Sequence, residues 1–404
     1  MKGKIAWLVP YPIEGSGGHR TIFSHIRNLS DRGHQCHVYI GEDRQQNMSE
    51  GALERMVNEF YGSCSAHIHS GYTVDDRFDI AIATAWWTAE LVAQKVEAQH
   101  KLYFVQDFEP CFNPMGDNYI RAENSYRQGL LPITIGRWLS HLLRDRYGSK
   151  ANYFDFTADT ATYYHEESIA QEPAVCFVYQ PEKPRRCSGI GKDTLAIVKQ
   201  QCPEIKIYTY GSLKEPNYYF DHTHLGILSQ KDCNALYNRC MVGLCLSSSN
   251  PSRIPFEMMA TGLPVVDFYG DNTKYDLPEK GVLLTERDPS SLAGALIKIL
   301  RSQDLQHEMR EQGQRFIMER SAELEFEQCA TLIESILAEE NILEEEILPL
   351  YTSPPFTADY SVPSEPLIVS DIEQTQNVIR SSLCQRLCQN RIGRVLKVLW
   401  RGYY

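Results

Sequence analysis

The chain has 404 residues, 43% of them hydrophobic and 23% charged, and its formal net charge is −12 at pH 7. Such a length exceeds one ordinary hydrophobic core and predicts two domains of roughly 150 to 200 residues each. The acidic balance argues against nucleic acid as the main partner, because a phosphate-binding surface needs a basic excess.

Neither a signal peptide nor a membrane span is indicated. The start, MKGKIAWLVPYP, is a short strand pattern followed by prolines, and no apolar run approaches the roughly 18 residues of a spanning helix. The 12 cysteines are spread through predicted strands and helices. We therefore expect a soluble or peripherally attached cytoplasmic protein with reduced thiols.

Apolar strands alternate with helix-forming segments through the first 165 residues. This alternation predicts parallel strands with helices on both faces of a sheet, as in a Rossmann-like domain. The turn after the first strand contains Gly17, Gly18 and His19, whose amides could face an anion. A tight connection without a ligand is the alternative, since no G-x-G-x-x-G is present. The predicted strands cover residues 4–10, 36–40, 79–84, 101–106, 131–135 and 152–156.

The loop after the strand at 101–106 carries acids, aromatic residues and an arginine, notably Asp107, Glu109 and Arg121. Carboxylates accept hydrogen bonds from sugar hydroxyls, and aromatic rings suit the C–H face of a pyranose, so the loop predicts a sugar site. The alternative is a proline-rich connection with solvated acids. No two aspartates stand two residues apart in the chain, which disfavours a metal-dependent transferase of the other major fold.

A strand at 174–180 opens the second half and ends in PEKPRRC, which places Lys183, Arg185 and Arg186 in one short loop. Three cations there would offset the charge of a pyrophosphate and stabilise it as a leaving group. The alternative is an ordinary basic surface loop. Further strands are predicted at 205–210 and 242–246, with helices at 192–201, 230–240, 288–300, 305–318 and 322–337.

The stretch at 244–268, LCLSSSNPSRIPFEMMATGLPVVDF, predicts a strand, a polar turn, a helix and a second strand. It resembles the donor-binding signature of retaining GT-B glycosyltransferases, in which a glutamate, seven residues and a second glutamate precede Gly-x-Pro. Glu257 matches the second glutamate, whereas Ser249 stands at the first. The sequence NPSRIPFE more closely resembles that of bacterial rhamnosyltransferases of the WsaF type. Taken alone, Glu257 is equally explained as a surface acid that stabilises the helix dipole.

This resemblance implies an α/β protein of the GT-B fold, with two Rossmann-like domains facing across a cleft. The first domain would bind the acceptor and the second the nucleotide-sugar donor. A proline- and serine-rich linker and a basic tail with an apolar stripe follow. The tail suits either an anionic membrane or the protein's own acidic surface. The predicted ranges are 1–167 and 168–338 for the two domains, 339–374 for the linker and 375–404 for the tail.

The resemblance implies three groups of site residues. It implies no metal ion and no cofactor, since the nucleotide sugar is a substrate. The catalytic candidates are Asp107, Lys183 and Arg186. The acceptor-binding candidates are His19, Glu109 and Arg121. The donor-binding candidates are Gly17, Gly18, Arg185, Tyr210, Gly211, Leu228, Ser249, Ile254, Pro255 and Glu257.

The expected activity is transfer of a sugar, with L-rhamnose from dTDP-L-rhamnose as the candidate, to a bacterial glycan or lipid-linked glycan with retention. A 6-deoxy sugar fits because Ser249 replaces a carboxylate that usually contacts the donor sugar. Two alternatives remain: a sugar-nucleotide epimerase of the same fold, and a non-catalytic glycan-binding or scaffold relative.

Overall fold

Two parallel β-sheets organise the chain in the computed structural model, which describes residues 2–41, 48–341 and 346–360. The first sheet has seven strands in the order β3-β2-β1-β4-β5-β6-β7, every neighbouring pair parallel. The strands are β1 (Lys4–Val9), β2 (Gln35–Ile40), β3 (His67–Ser70), β4 (Phe78–Ala83), β5 (Ala98–Val105), β6 (Leu131–Ile135) and β7 (Asn152–Phe154). The helices are α1 (Gly17–Asp31), α2 (Glu50–Tyr61), α3 (Trp86–Lys95), α4 (Asp117–Ser125) and α5 (Arg137–Tyr147).

The second sheet has six parallel strands in the order β10-β9-β8-β11-β12-β13. The strands are β8 (Ala174–Val178), β9 (Lys206–Tyr210), β10 (Thr223–His224), β11 (Val242–Leu244), β12 (Val265–Phe268) and β13 (Val282–Thr285). The helices are α6 (Ser188–Gln201), α7 (Gln230–Arg239), α8 (Ile254–Ala260), α9 (Asp271–Lys274), α10 (Pro289–Leu300), α11 (Gln303–Met318) and α12 (Ala322–Leu337). Two α/β halves with parallel sheets confirm the predicted fold class.

The central strands are apolar throughout because helices cover both faces of each sheet. All residues from Ile5 to Val9 of β1 are fully buried, as are all of Ala174 to Phe177 in β8. The last helix, α12, follows the second sheet in sequence but packs against α1 and β7 of the first half. A single compact unit therefore runs through both halves to residue 360.

Two segments differ from the sequence prediction. The sequence predicts the first helix at about residues 20–29, whereas helix α1 begins at Gly17, because the Ser16 side chain caps it by accepting from the His19 amide. Residues 346–360 were predicted as part of an extended linker, yet they lie along the second half. Phe356 forms a parallel bridge with Thr285, and Tyr351 is 3% exposed. The predicted tail at 375–404 lies outside the described residues.

Within the residues that the structure describes, none of the helices is both long and apolar enough to cross a bilayer. The ten cysteines in the described part of the chain are free thiols.

We predict that Gly191→Ala destabilises the protein by about 1–3 kcal/mol, because overpacking a well-filled core has this magnitude. A Cβ at Gly191, in α6, would lie 2.1 Å from the Phe177 ring. Gly189, in the same helix, has no heavy atom within 4 Å of a Cβ position. Gly189→Ala should therefore be neutral or slightly stabilising, as helix propensity favours alanine. Urea unfolding of both variants checks the difference, and equal effects would contradict it.

Candidate functional site at the joint of the two halves

The basic loop (Lys183–Arg186) follows β8 and closes in a 3₁₀ turn at Pro184–Arg186. Burial lowers the pKa of Lys183, and the positive charges of Arg185 and Arg186 lower it further. Burial and Arg186 also lower the pKa of Arg185, against the opposing effect of Asp107. Cations held this close to one another form a site that gains stability when an anion binds.

Asp107 reaches this loop from the first half. Its Oδ2 lies 3.4 Å from Arg185 Nε and accepts a 3.2 Å hydrogen bond from the Ser249 hydroxyl. Its Oδ1 accepts 3.0 Å and 2.8 Å bonds from the amides of Asn250 and Phe108. The guanidinium of Arg185 also stacks over Phe112, 4.4 Å from the ring centroid. The predicted catalytic acid and the predicted diphosphate cation are therefore in direct contact.

The SSSNPS loop (Ser247–Ser252) lies beside the basic loop. Ser248 donates its amide to the carbonyl of Arg185, and Arg186 donates to the carbonyl of Asn250. Asn250 also donates its side-chain amide to the carbonyl of Gln106, at 2.5 Å, which adds a second link to the first half. The basic loop, the SSSNPS loop and the segment after β5 thus meet at the carboxyl ends of strands from both sheets.

Backbone strain and unpartnered polar atoms are concentrated here. Cys187 (φ 49°) and Ser252 (φ 71°) adopt the left-handed region that non-glycine residues disfavour, with Glu339 the remaining such case in the described part of the chain. Asn250 Oδ1 and Asp267 Oδ2 are buried without a hydrogen-bond partner within the described residues. Such features cluster at binding sites because the fold sacrifices local stability to present them.

Asp267 is the penultimate residue of β12, is fully buried and accepts a hydrogen bond from the Ser247 amide of the SSSNPS loop. Burial raises the pKa of its carboxyl to about 8, although hydrogen bonds from the amides of Phe268 and Ser247 act in the opposite direction. Arg186 and Arg287 lower it as well. The group therefore holds a proton at neutral pH and sits next to a predicted diphosphate cation.

Glu257 lies in the first turn of α8 and is partly exposed. Loss of hydration raises the pKa of its carboxyl to about 7, opposed chiefly by the charges of Arg253 and Arg20. The neighbouring Tyr163 hydroxyl also lowers the pKa of this carboxyl. Since Arg20 belongs to α1, Glu257 borders the joint between the halves, as the basic loop does.

The first turn of α1 holds Gly17 and Gly18, whose amides precede the first intrahelical hydrogen bonds and can face an anion. A Cβ on Gly18 would lie 3.6 Å from the Gln106 side chain, so the turn is next to the segment carrying Asp107. His19 is buried, and its ring nitrogens lie 3.0 Å from Ser16 Oγ and 3.3 Å from the Pro10 carbonyl. Both nitrogens are thus engaged inside their own loop, which leaves none for an acceptor in this conformation.

Neither Glu109 nor Arg121 takes part in the contacts of the Asp107 carboxylate with the basic loop and the SSSNPS loop. The Glu109 carboxylate accepts from the Trp86 amide at 2.9 Å and from the Tyr103 hydroxyl at 2.7 Å. It therefore stabilises the start of α3 as a buried structural group. Arg121 is exposed and lines a cavity of about 380 Å³ between α3 and α4, together with Trp86.

The remaining predicted donor residues occupy varied positions. Tyr210 is 4% exposed and its hydroxyl bonds Tyr237 at 2.8 Å, so it packs in the second half. Gly211 (φ 103°) donates its amide to the Gly226 carbonyl. Leu228 follows Gly226 by two residues and is partly exposed. Ile254 and Pro255 form the first turn of α8.

Sequence reasoning missed Asn250, Asp267 and Arg253. Asn250 and Arg253 lie inside the singled-out stretch, and Asp267 interrupts an otherwise apolar strand, a signal that a buried polar group has a special role. Within residues 2–41, 48–341 and 346–360, no group of three or more His, Cys, Asp or Glu side chains has an arrangement that would hold a metal ion.

Solved structures identify the architecture. Sucrose-phosphate synthase from Thermosynechococcus elongatus superposes with a TM-score of 0.64 and 14% identity, over 83% of this chain and 100% of that one. Anabaena Alr3699/HepE, solved with UDP and glucose, superposes with a TM-score of 0.62 and 13% identity over the same shares. WaaG, described as a glycosyltransferase of lipopolysaccharide biosynthesis, gives 0.54 and 13% over 81% of this chain and 99% of that one. The protein has the GT-B fold.

Two family models match separate parts of the chain, one in each half. The WsaF C-terminal domain matches residues 173–297, and the WsaF N-terminal domain matches residues 63–136. These two matches confirm the resemblance to WsaF-type GT-B proteins that the stretch at 244–268 indicated. The O-antigen biosynthesis protein RfbC of Myxococcus xanthus is 28% identical over 310 residues, 73% of this chain. This chain spans 24% of the length of that relative.

Asp267→Asn tests the buried proton. Because the folded pKa of about 8 lies above the unfolded value, Asp267 costs stability progressively as pH rises from the unfolded pKa to about 8. The variant should match the wild type near pH 4 and become relatively more stable up to pH 8. Thermal unfolding across this range measures it, with exposed Asp221→Asn as the control. A pH-independent difference would contradict the assignment.

Proposed function

We propose that the protein is a glycosyltransferase that moves a sugar from a nucleotide diphosphate to an acceptor in bacterial surface-polysaccharide biosynthesis. The proposed donor is dTDP-L-rhamnose, and the proposed outcome is retention at the anomeric carbon. Three relatives support the reaction class by their names: RfbC concerns O-antigen, WaaG lipopolysaccharide, and HepE was solved with UDP-glucose.

The observation that carries the proposal is the meeting of the basic loop with unpartnered polar groups and strained backbone at strand ends of both sheets. In open parallel sheets, ligands bind at the carboxyl ends of strands. Three clustered cations, of which Lys183 and Arg185 have lowered pKa values, match the two negative charges of a nucleoside diphosphate. The same cations would stabilise that group as it leaves, which supplies the charge compensation that a metal ion provides in other transferases.

Asp107 gives this site two states. In the structure its carboxylate neutralises Arg185 and accepts from the SSSNPS loop. A diphosphate bound to the basic loop would compete for the same donors and release Asp107. The freed carboxylate would then lie beside the leaving group, where it can accept a proton from, or orient, the acceptor hydroxyl.

Glu257 is proposed to hold the donor ribose. A carboxyl group accepts hydrogen bonds from two vicinal hydroxyls most strongly when it is ionised and both oxygens are acceptors, and the pKa of Glu257 is raised to about 7. Neutral and ionised forms therefore coexist near neutral pH, and donor binding would strengthen as pH rises through this value.

The donor sugar is inferred from Ser249. Relatives with the usual signature carry a glutamate there, whereas this chain has a fully buried serine whose hydroxyl lies 3.2 Å from Asp107. A serine at this depth offers one short hydroxyl in place of a carboxylate. A 6-deoxy sugar, which presents one hydroxyl fewer than a hexose, suits this reduced capacity.

Binding of dTDP tests the donor site. Removing a charge-assisted hydrogen bond costs about 1.5–3 kcal/mol, so Arg186→Ala should raise the Kd for dTDP by about 10- to 100-fold. Glu257→Ala should also weaken binding, through loss of the ribose contact. Titration calorimetry measures both. Lys214→Ala, an exposed cation of the same half, serves as the control and should bind like the wild type.

Turnover of a nucleotide-sugar panel tests the reaction. We expect hydrolysis of dTDP-L-rhamnose to exceed that of UDP-glucose and GDP-mannose, and mass spectrometry of released sugar and nucleotide measures it. Faster turnover of UDP-glucose would remove the rhamnose assignment while keeping the transferase. Absence of binding to every nucleotide would favour the non-catalytic alternative, and release of nucleotide with an isomerised sugar would favour the epimerase.

A further inference from the structure

A buried ionic network crosses the joint at a point where the proposed mechanism requires no residue. The carboxylate of Glu325, on α12, is 2% exposed. It accepts two hydrogen bonds from Arg253, at 2.7 and 2.5 Å, and one from Thr157 at 2.5 Å. The Nε2 atom of His25, itself 1% exposed, lies 3.1 Å from the same carboxylate. All these contacts stabilise the buried negative charge of Glu325.

The members of this network come from elements that otherwise belong to different halves. Arg253 is the residue before α8, one turn ahead of Glu257, and so adjoins the proposed donor site. His25 lies on α1, whose first turn contains Gly17 and Gly18. Arg253 also approaches the Thr21 hydroxyl of α1, at 3.3 Å. One guanidinium therefore connects the start of the donor helix to the helix that opens the opposite half.

We propose that Arg253 is a positioning residue, whose bidentate pairing with Glu325 sets the start of α8 against the first turn of α1. The inference rests on the proposed function for its catalytic consequence. A planar fork that makes two parallel hydrogen bonds fixes orientation as well as distance, which a point charge does not. Glu257 and the glycine turn are thereby held in one arrangement across the donor site.

The chain offers a matched control in the pair of Arg32 with Glu334. This pair also joins the end of α1 to α12 by a fork, with distances of 3.2 and 2.6 Å, and His34 bonds the same carboxylate. Within the described residues, its hydrogen bonds and ion pairs involve no residue of α8. Glu334→Gln should loosen the contact of α12 with α1 without affecting the start of the donor helix.

The experiment compares Arg253→Lys, Glu325→Gln and Glu334→Gln in the full chain. Amide hydrogen exchange should become about tenfold faster at residues 254–260 and 17–24 in the first two variants. These variants lack the two-bond pairing of Arg253 with Glu325, so local opening of the helix starts costs less free energy. In Glu334→Gln the amides at 254–260 should exchange as in the wild type. Arg253 is 28% exposed at its side chain, so the freed cation can reach water and the Glu325→Gln variant remains foldable.

Kinetics with dTDP-L-rhamnose separate positioning from mere stability. In Arg253→Lys we expect kcat for donor hydrolysis to fall about tenfold while KM changes less than about threefold, because alignment is lost but the donor contacts remain. Glu334→Gln should leave both unchanged. Unaltered exchange at 254–260 in Glu325→Gln, or equal acceleration in Glu334→Gln, would overturn the proposal. A wild type that hydrolyses no nucleotide sugar would instead remove the proposed function, and exchange would still decide the positioning role.

Discussion

The joint between the halves depends on one constraint: a charge removed from water must find partners, and here the partners come from the opposite half. Asp107, from the first sheet, is held by Arg185 and by two groups of the SSSNPS loop. Glu325, on α12, is held by Arg253 and by His25 of α1. Leaving either carboxylate unpaired would be costly. Each pair therefore ties a donor-site element to the first half and keeps the strand ends of both sheets together.

The two buried carboxylates nevertheless differ in how completely they are satisfied. Glu325 has charged and neutral donors on both oxygens, and its pKa lies well below the usual range, chiefly through Arg253 against the opposing effect of burial. Near Asp107, by contrast, Asn250 Oδ1 and Asp267 Oδ2 have no partner within the described residues. The first network suits a permanent structural link. The second has capacity for a ligand, because incoming groups can satisfy atoms that the protein leaves open.

Local patterns predicted much of this architecture, and contacts distant in sequence explain what they did not. The apolar run at 131–135 was predicted with the observed bounds, and the helix predicted at 230–240 is α7, which Ser229 caps. A short edge strand such as β3, His67–Ser70, lacks a buried apolar run and gave no signal. For the site, the sequence predicted which acidic and basic side chains lie in the loops that follow the strands. It did not predict the connections of the site, because Arg253 and Glu325 are 72 residues apart and nothing local in either indicates the other.

The placement of Asp107 changes how the replacement of a glutamate by Ser249 is understood. In relatives with both glutamates, the carboxylate near the donor sugar belongs to the donor half itself. Here the Ser249 hydroxyl instead bonds a carboxylate that the first half provides. Under the proposed function, this acid is present at the donor sugar only while the halves are in contact. Recognition of the donor would then depend on the joint that Arg253 and Glu325 stabilise, because an open joint would withdraw Asp107 from the site.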